Sequence, residues 1–369
     1  GHFAADSCNA VSEVPTGRWD NASLQRGRSD VVNRSKYASF LNSAQLFHHT
    51  FFAVPRMEAA SMAPHQRLLL ERSYLAMHNA AMDRTSVYDS TIGVFIAVQE
   101  MDFTPADVNA AMGMYTGTGN AMAIASGRLS YVFGMQGPCI SLDTACSASL
   151  VACHSAASAL LLSEAAGGIA AGVNLMLTPY YSLFFARTGM TSAGGRCHTW
   201  DQRADGYTRA EACDAVTLSL SEGSESSKRL LSGTAVRQDG RSASLTAPNG
   251  IAQRNLIVGT LVKAGLRASD YLILEAHGTG TALGDPQEMS AIVKVLCEPT
   301  ERVIAVSSIK SNVAHTELAA GVTGLLKLIT QEATATIAPN AQLRTLNPYL
   351  ATPLGSTGCA LPLHLSRLG

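Results

Sequence analysis

The 369-residue chain has a net charge of −1, and 15% of its residues are charged while 47% are hydrophobic. This composition argues against a disordered or solvating chain and is typical of a globular enzyme with a large buried core. With Lys and Arg dispersed, the near-neutral charge also argues against a surface for nucleic acid or anionic membranes. No run of about eighteen apolar residues occurs, so we expect no membrane span.

Helical and strand-like runs alternate along the chain. Residues 59–82 predict a helix with an apolar side formed by Leu68, Leu69, Leu75 and Met77. Further along, strands are predicted over 92–98, 168–177, 215–220 and 271–275, and a helix over 253–266. The alternation predicts an α/β protein whose sheets are buried on both faces.

The eight cysteines lack the CxxC pairs and the His/Cys spacing of a zinc site, so we expect no metal centre. They are typical of reduced intracellular thiols, and we predict that Cys139, Cys153 and Cys213 pack in the core. No targeting signal is visible at the start of the chain, which begins at Gly1 without an initiator Met. A cytoplasmic location is therefore expected.

The segment GPCISLDTACSASL at 137–150 places Cys146 at a strand-to-helix turn. Ile140 and Leu142 predict a short buried strand, and residues 147–162 predict a buried helix. Free backbone N–H groups and the positive end of the helix dipole at such a turn favour a thiolate nucleophile. A small buried core thiol is the competing interpretation, because a position at a helix start only permits reactivity.

Two further segments each place a His on a loop just past a strand. LILEAHGTGTALGDPQEM at 272–289 carries His277 in a Gly-rich turn, and VIAVSSIKSNVAHTELAAGVTGLLKL at 303–328 carries Lys310, Asn312 and His315. Each His alone is more often a structural hydrogen-bonder than a catalyst. Since loops held by a rigid sheet often carry catalytic groups, one Cys and two His at strand ends together predict an active site.

In these motifs the sequence resembles the β-ketoacyl synthases, and among them the ketosynthase domains of modular polyketide synthases. DTACSASL is similar to that family's nucleophile motif, EAHGTGTALGDP to its first histidine motif, and SSIKSNVAHTELAAGVTGLLK to its second. EVPTGRWD, MAPHQRLLLE, YTGTGNAMAIASGRLSYVFG, GGRCHTWDQRADGY and QDGRSASLTAPNG agree as well. The resemblance runs from about residue 13 to about residue 348, and several long motifs in one order are far more specific than a single short pattern.

The resemblance implies a thiolase-like fold, in which two related α/β halves stack in a five-layered αβαβα arrangement. Residues 1–240 would form the N-terminal half with the nucleophile, and residues 241–369 the C-terminal half with both catalytic histidines. The chain differs from the family at both ends. Few residues precede EVPTGRWD, and GSTGCALPLHLSRLG does not match the family's GFGGTN segment, which provides an oxyanion-hole N–H and a gating Phe. We therefore expect a domain truncated at both ends relative to the family.

The family's residue roles transfer to matching positions of this chain. They imply Cys146 as the nucleophile and His277 and His315 as neutral donors to an enolate oxygen. The supporting roles are a Lys310–Glu317 pair that orients His315, Asp285 holding the loop of His277, and Thr279 and Thr281 binding a pantetheine arm. An ordinary turn acid and structural threonines are the competing interpretations of the last three residues.

Three positions within the motifs carry alanine where the family has glycine: Ala210, Ala212 and Ala314. Such a change is harmless where φ is negative and costly where φ is positive. Ala314 directly precedes His315, so it is the substitution that is expected to matter if its φ is positive.

The implied activity is a decarboxylative Claisen condensation of a malonyl-type thioester with an acyl chain held on Cys146, in polyketide or fatty acid biosynthesis. Both substrates would be carried on the phosphopantetheine of an acyl carrier protein, with no bound cofactor. The expected assembly is a homodimer, with other synthase domains in a longer chain. Two histidines, in place of His and Asn, favour elongation. The alternatives are a non-elongating acyl-transferring ketosynthase, a catalytically silent structural partner, and a fragment of a larger synthase.

Overall fold

The computed structural model describes residues 8–20, 29–105, 113–221, 229–355 and 357–367, which include every candidate site residue. The strands are β1 Ser12–Glu13, β2 Tyr37–Ala38, β3 Gly93–Ala97, β4 Cys139–Leu142, β5 Gly168–Asn174, β6 Ala212–Leu218, β7 Ile273–Glu275, β8 Ile304–Ser307, β9 Thr336–Ile337, β10 Cys359–Ala360 and β11 Ser366–Arg367. The α-helices are α1 Ser29–Ser35, α2 Arg56–Ser61, α3 Pro64–Asn79, α4 Arg84–Val87, α5 Thr116–Asn120, α6 Met122–Phe133, α7 Ala148–Leu161, α8 Tyr180–Arg187, α9 Gly250–Ala264, α10 Gly284–Ile292, α11 Lys310–Val313, α12 Ala320–Thr334 and α13 Pro348–Leu354. A π-helical segment, Val293–Cys297, continues α10.

The first sheet has the strand order β4-β3-β5-β6. β3 is parallel to both β4 and β5, whereas β6 runs antiparallel to β5. Every residue of β3 and β5 is buried, as expected for apolar strands covered on both faces. Helices α3 and α6 pack on one face of this sheet, and α7 packs on the other.

The second sheet contains parallel strands in the order β10-β8-β7. α12 contacts strands of both sheets and lies beside α7, so these two helices form a central layer. On the outer side of the second sheet, α9, α10 and the π-helical segment pack against β8. The five-layered αβαβα arrangement that the resemblance implied is therefore present.

The single helix predicted over residues 59–82 is wrong, because the chain forms α2 and α3 with a break between them. Pro64 occupies the first turn of α3, and Ala63 before it is extended, with φ −57° and ψ 140°. Leu75, predicted on the apolar side, is 45% exposed. The strand predicted over 215–220 begins three residues earlier, as β6.

β4 lies at an edge of the first sheet and is not the buried strand that the sequence predicts. It pairs with β3 on one side, and its first two residues, Cys139 and Ile140, are exposed. Cys153 and Cys213 are buried as predicted, whereas the prediction that Cys139 packs in the core is wrong, because it lies on this exposed strand. Helix α6 packs against β4, but among the described strands β4 has no partner on its outer side, which leaves a strand edge close to Cys146. None of the described helices is long and apolar enough to cross a bilayer.

Candidate active site

The three candidate catalytic residues follow the ends of β4, β7 and β8, so both sheets contribute to one site. The Cys146 thiol and the nearest ring nitrogens of His277 and His315 all lie within 4.8 Å of one another. The two imidazole rings meet edge to face, with centroids 5.4 Å apart and an interplanar angle of 86°. Cys146, which lies well over a hundred positions before the two histidines in the chain, thus forms one constellation with them.

Cys146 occupies a sharp turn between β4 and α7. Ala145 before it has φ 55°, and its backbone N–H is held by the Asp143 carboxylate at 2.8 Å. Burial raises the pKa of the Cys146 thiol above its ordinary value, although the positive charge of Lys310 lowers it. Burial thus opposes the thiolate that the position at a helix start favours, so transfer of the Cys146 proton to a neighbour assists nucleophilic attack.

His315 is held so that one of its nitrogens must be a hydrogen-bond donor. The backbone N–H of Glu317 donates to His315 Nδ1 at 3.1 Å, so Nδ1 is unprotonated and the neutral ring carries its proton on Nε2. Burial, together with the charge of Lys310, lowers the pKa of His315 well below its usual value. The ring is therefore neutral at physiological pH and presents an Nε2–H.

His277 is positioned through its backbone by Glu288, a residue that the sequence analysis did not select. The carboxylate of Glu288 accepts the N–H groups of His277 at 2.6 Å and of Gly278 at 2.8 Å. Desolvation of the imidazole and the charge of Lys310 lower the pKa of His277, although the residue as a whole is exposed. The available sequence signal for Glu288 is its spacing three residues after Asp285, which puts both acids on one side of α10.

Asp285 holds the loop that follows His277. Its carboxylate accepts the backbone N–H groups of Gly280 at 3.1 Å, Thr281 at 3.3 Å and Trp200 at 3.0 Å. Burial raises the pKa of Asp285 to about 7. Because this one side chain ties the Gly-rich turn to the segment around Trp200, it acts on the shape of the loop.

The hydroxyl oxygens of Thr279 and Thr281 lie 3.3 Å apart. The Thr281 hydroxyl also accepts the N–H of Gly284 at 3.2 Å, where α10 begins. The Thr281 hydroxyl therefore supports the loop.

Glu317 binds a different cation from the one that the sequence analysis assigned to it. Arg209 donates from Nε to one carboxylate oxygen at 2.6 Å and from Nη2 to the other at 2.8 Å. The Lys310–Glu317 pair is therefore corrected to an Arg209–Glu317 pair. Lys310 is 5% exposed and lies close enough to Cys146, His277 and His315 for its charge to lower all three pKa values.

The arrangement is suited to an anion and poorly suited to a metal ion. A Cys and two His within 4.8 Å are close enough to hold a soft cation. His315, however, already accepts a hydrogen bond at Nδ1 and carries its proton on Nε2, so neither nitrogen is a free ligand. The buried positive charge of Lys310 further favours a negative group at this point.

Comparisons with known proteins agree with this geometry. Residues 5–222 match the family model "Beta-ketoacyl synthase, N-terminal domain", and residues 230–344 match "Beta-ketoacyl synthase, C-terminal domain". The chain belongs to the β-ketoacyl synthase family. The resemblance stated from the motifs is thus confirmed.

Curated and solved relatives place this ketosynthase among polyketide synthases. It is 40% identical over 330 residues to the phenolphthiocerol synthesis polyketide synthase type I Pks15/1 of Mycobacterium bovis, covering 87% of the chain and 16% of the relative. It is also 40% identical over 332 residues to the pikromycin polyketide synthase component PikAII of Streptomyces venezuelae, covering 87% of the chain and 9% of the relative. The chain therefore spans a small part of these longer proteins.

Solved ketosynthases confirm the thiolase-like fold. The ketosynthase from module 6 of the Bacillus subtilis bacillaene synthase superposes with a TM-score of 0.90 at 28% identity, covering 100% of this chain and 63% of that one. The oxazolomycin ketosynthase domain OzmH KS7 of Streptomyces albus gives a TM-score of 0.91 at 31% identity, with 100% and 66% covered.

Ala314 occupies a backbone conformation that suits glycine. Its φ of 68° and ψ of −170° lie in a region that is essentially restricted to glycine, and the residue is 1% exposed. Among the described residues, the positive-φ positions do not include Ala210 or Ala212. Of the three alanines that replace family glycines, Ala314 is the one that strains the backbone next to a catalytic ring.

Ala314→Gly is expected to raise the free energy of unfolding by about 1 kcal/mol. A backbone conformation of this kind costs a non-glycine residue of order 1–3 kcal/mol, and the greater freedom of glycine in the unfolded chain cancels part of the gain. Ala212→Gly is the matched control, and it should lower stability by about 0.5–1 kcal/mol. Denaturant unfolding measures both, and condensation should be unchanged or faster in Ala314→Gly; a marked fall in activity would contradict the assignment of strain.

Proposed function

We propose that this ketosynthase catalyses the decarboxylative Claisen condensation of a malonyl-type thioester with an acyl chain carried on Cys146. The observation that supports it best is a thiol within 4.8 Å of two neutral imidazoles, one of which presents a fixed Nε2–H. A nucleophile next to two oxyanion donors is the requirement for carbon–carbon bond formation through an enolate.

The first step is transfer of the acyl chain. The Cys146 sulfur attacks the thioester carbonyl of the acyl carrier, its proton passes to the leaving pantetheine sulfur, and an acyl-enzyme results. Burial opposes the Cys146 thiolate, so the proton moves as the carbon–sulfur bond forms, and a neutral imidazole within reach is the group that relays it.

The second step is condensation. The malonyl carbon–carboxylate bond breaks, CO₂ leaves, and the bonding electrons form an enolate whose oxygen accepts hydrogen bonds from His277 and His315. The enolate carbon attacks the carbonyl carbon of the Cys146 thioester, and the Cys146 sulfur leaves as a thiolate that takes up a proton from solvent. The product is a β-ketoacyl carrier longer by two carbons. Such oxyanion donors typically contribute about 3–4 kcal/mol each to transition-state stabilisation.

The substrates proposed for this site are thioesters on the phosphopantetheine of an acyl carrier protein, with no bound cofactor or metal. Thr279 and Thr281, on the loop that leaves His277, are proposed to bind the pantetheine arm. The similarity to polyketide synthases favours a polyketide product over a fatty acid. Further synthase domains in a longer chain are part of the same proposal.

A homodimer is proposed through the exposed edge of β4. An apolar strand with a free edge pairs readily with a second copy, and β4 leads directly to Cys146. Division into halves at residues 1–240 and 241–369 is also proposed, since the strands of the first sheet end at Leu218 and those of the second begin at Ile273. A cytoplasmic location stays a prediction.

Intact-protein mass spectrometry tests the proposed function. The chain is incubated with an acyl-carrier thioester and then with a malonyl carrier. An acyl adduct that disappears as an extended β-ketoacyl carrier forms is the expected result. An adduct that persists would identify a non-elongating acyl transferase, and the absence of any adduct would identify a silent partner or fragment. Either result would overturn elongation.

A further inference from the structure

The turn that carries His315 is held in an unfavourable conformation on both sides of the ring. Ala314 before it has φ 68°, and Glu317 after it has φ 45°. L residues rarely adopt such angles, which persist only where surrounding contacts over-determine them. Contacts that maintain this turn are therefore expected in the structure.

The segment 208–210 supplies these contacts. The N–H of His315 donates to the carbonyl of Thr208 at 2.8 Å, and the N–H of Ala210 donates to the carbonyl of His315 at 2.8 Å. Between these two bonds, the Arg209 guanidinium binds both carboxylate oxygens of Glu317 at 2.6 and 2.8 Å. Arg209 is 3% exposed and Glu317 is 8% exposed, so the ion pair is shielded from water.

The ion pair reaches the chemistry through one backbone group. The N–H of Glu317 is the donor to His315 Nδ1, and it therefore decides which nitrogen of the ring carries the proton. Arg209 is itself anchored, because its Nη1 donates to the Ser182 hydroxyl of α8 at 2.9 Å. A two-pronged guanidinium restricts the rotation of a carboxylate in a way that a single ammonium does not.

We infer that Arg209 is a positioning residue for the condensation. By binding Glu317, Arg209 holds the turn in place despite the strain at Ala314, and it thereby fixes which nitrogen of His315 carries the proton. It touches no substrate atom, and acts through the Glu317 N–H. The kinetic part of this inference rests on the proposed function, whereas the tautomer part does not. The contact between Arg209 and Glu317 joins residues that are 108 positions apart in the chain.

The test compares Arg209→Lys with the intact chain by nitrogen-15 NMR of labelled histidine, with the His315 signals assigned from their loss in His315→Ala. The intact chain should show a single tautomer with Nε2 protonated. Arg209→Lys keeps the positive charge but loses the second hydrogen bond to the Glu317 carboxylate, and it should show a mixture of His315 tautomers. An unchanged tautomer in a folded Arg209→Lys would overturn the inference.

Arg128→Lys is the matched control. Arg128 also forms an ion pair, with the partly buried Glu58 at 2.6 Å, and it also binds Gln66, but it lies on α6. It should alter stability without altering the His315 tautomer. A second variant, Arg209→Met combined with Glu317→Gln, removes both charges and leaves no unpaired buried ion. This variant should also lose the single tautomer, and it decides the question if Arg209→Lys does not fold.

Kinetics provide the second readout. In Arg209→Lys, malonyl decarboxylation should fall by about tenfold or more, since a small misplacement of a donor is costly, while acylation of Cys146 stays within about twofold. Combining Arg209→Lys with Ala314→Gly should reduce the loss of malonyl decarboxylation by about threefold, because the turn is then no longer strained and needs the Arg209–Glu317 contact less. If the effects of the two substitutions on decarboxylation simply multiply, the inference that Arg209 opposes the strain at Ala314 is overturned. If the intact chain does not decarboxylate malonyl carrier, the proposed function fails and the NMR comparison alone decides the inference.

Discussion

Cys146→Ala is expected to abolish the covalent acyl-enzyme. The thiol is the reacting group of the proposed first step, and among the described residues it is the cysteine that lies within 4.8 Å of both histidines. Loss of a nucleophile of this kind typically lowers the rate by several powers of ten, because the bond that it forms has no substitute. The measurement is the mass of the intact protein after incubation with an acyl-carrier thioester.

Cys359→Ala is the control for this variant. Cys359 is also half-buried but lies on β10, away from the site, so its removal should leave the acyl adduct in place. Unchanged labelling of Cys146→Ala would contradict the assignment of the nucleophile.

The same site gives the reaction a defined pH dependence. Burial raises the pKa of Cys146, so the thiolate fraction of the free enzyme rises about tenfold for each pH unit below that pKa. Alkylation of Cys146 by iodoacetamide should therefore accelerate steadily from about pH 7 to pH 9 without a plateau. A plateau of the alkylation rate near neutral pH would mean that the N-terminal end of α7 stabilises the thiolate more than burial destabilises it.

His315→Ala is expected to remove malonyl decarboxylation while leaving acylation of Cys146 largely intact. The Nε2–H of His315 is the donor whose direction is set by the Glu317 N–H, and it is proposed to act on the enolate oxygen, which develops only in the second step. Loss of one such donor typically lowers the rate by about 10²–10³. Release of CO₂ from malonyl carrier and the mass of the acyl-enzyme measure the two steps separately.

His49→Ala is the control, because the His49 ring forms a hydrogen bond with the Val54 carbonyl, well away from the site. It should change neither step. Equal loss of both steps in His315→Ala would show that His315 serves acyl transfer as much as decarboxylation, and its assigned role would then be wrong.

The sequence by itself determined the family and identified the positions that are proposed to carry the chemistry. The motifs around Cys146, His277 and His315 are local, and each lies where a strand ends, so short-range pattern was enough to identify them. The alternation of helices and strands predicted the α/β class, and the family resemblance implied the five-layered arrangement that the structure shows. The apolar pattern over 59–82 predicted one helix and was wrong, because Pro64 begins a new helix and the predicted segment is divided into α2 and α3.

Only the tertiary structure decided which residues support the histidines and how the site is charged. The Arg209–Glu317 pair joins residues 108 positions apart, so no local spacing marks it, and the hydrogen bonds from the backbone N–H groups of His277 and Gly278 to Glu288 depend on how the loop folds onto α10. The strain at Ala314 depends on a φ angle, and the raised pKa of Cys146 depends on burial among both sheets. Hydrogen-bond partners, backbone angles and desolvation are set by contacts between distant segments, and these exist only once the two sheets have packed together.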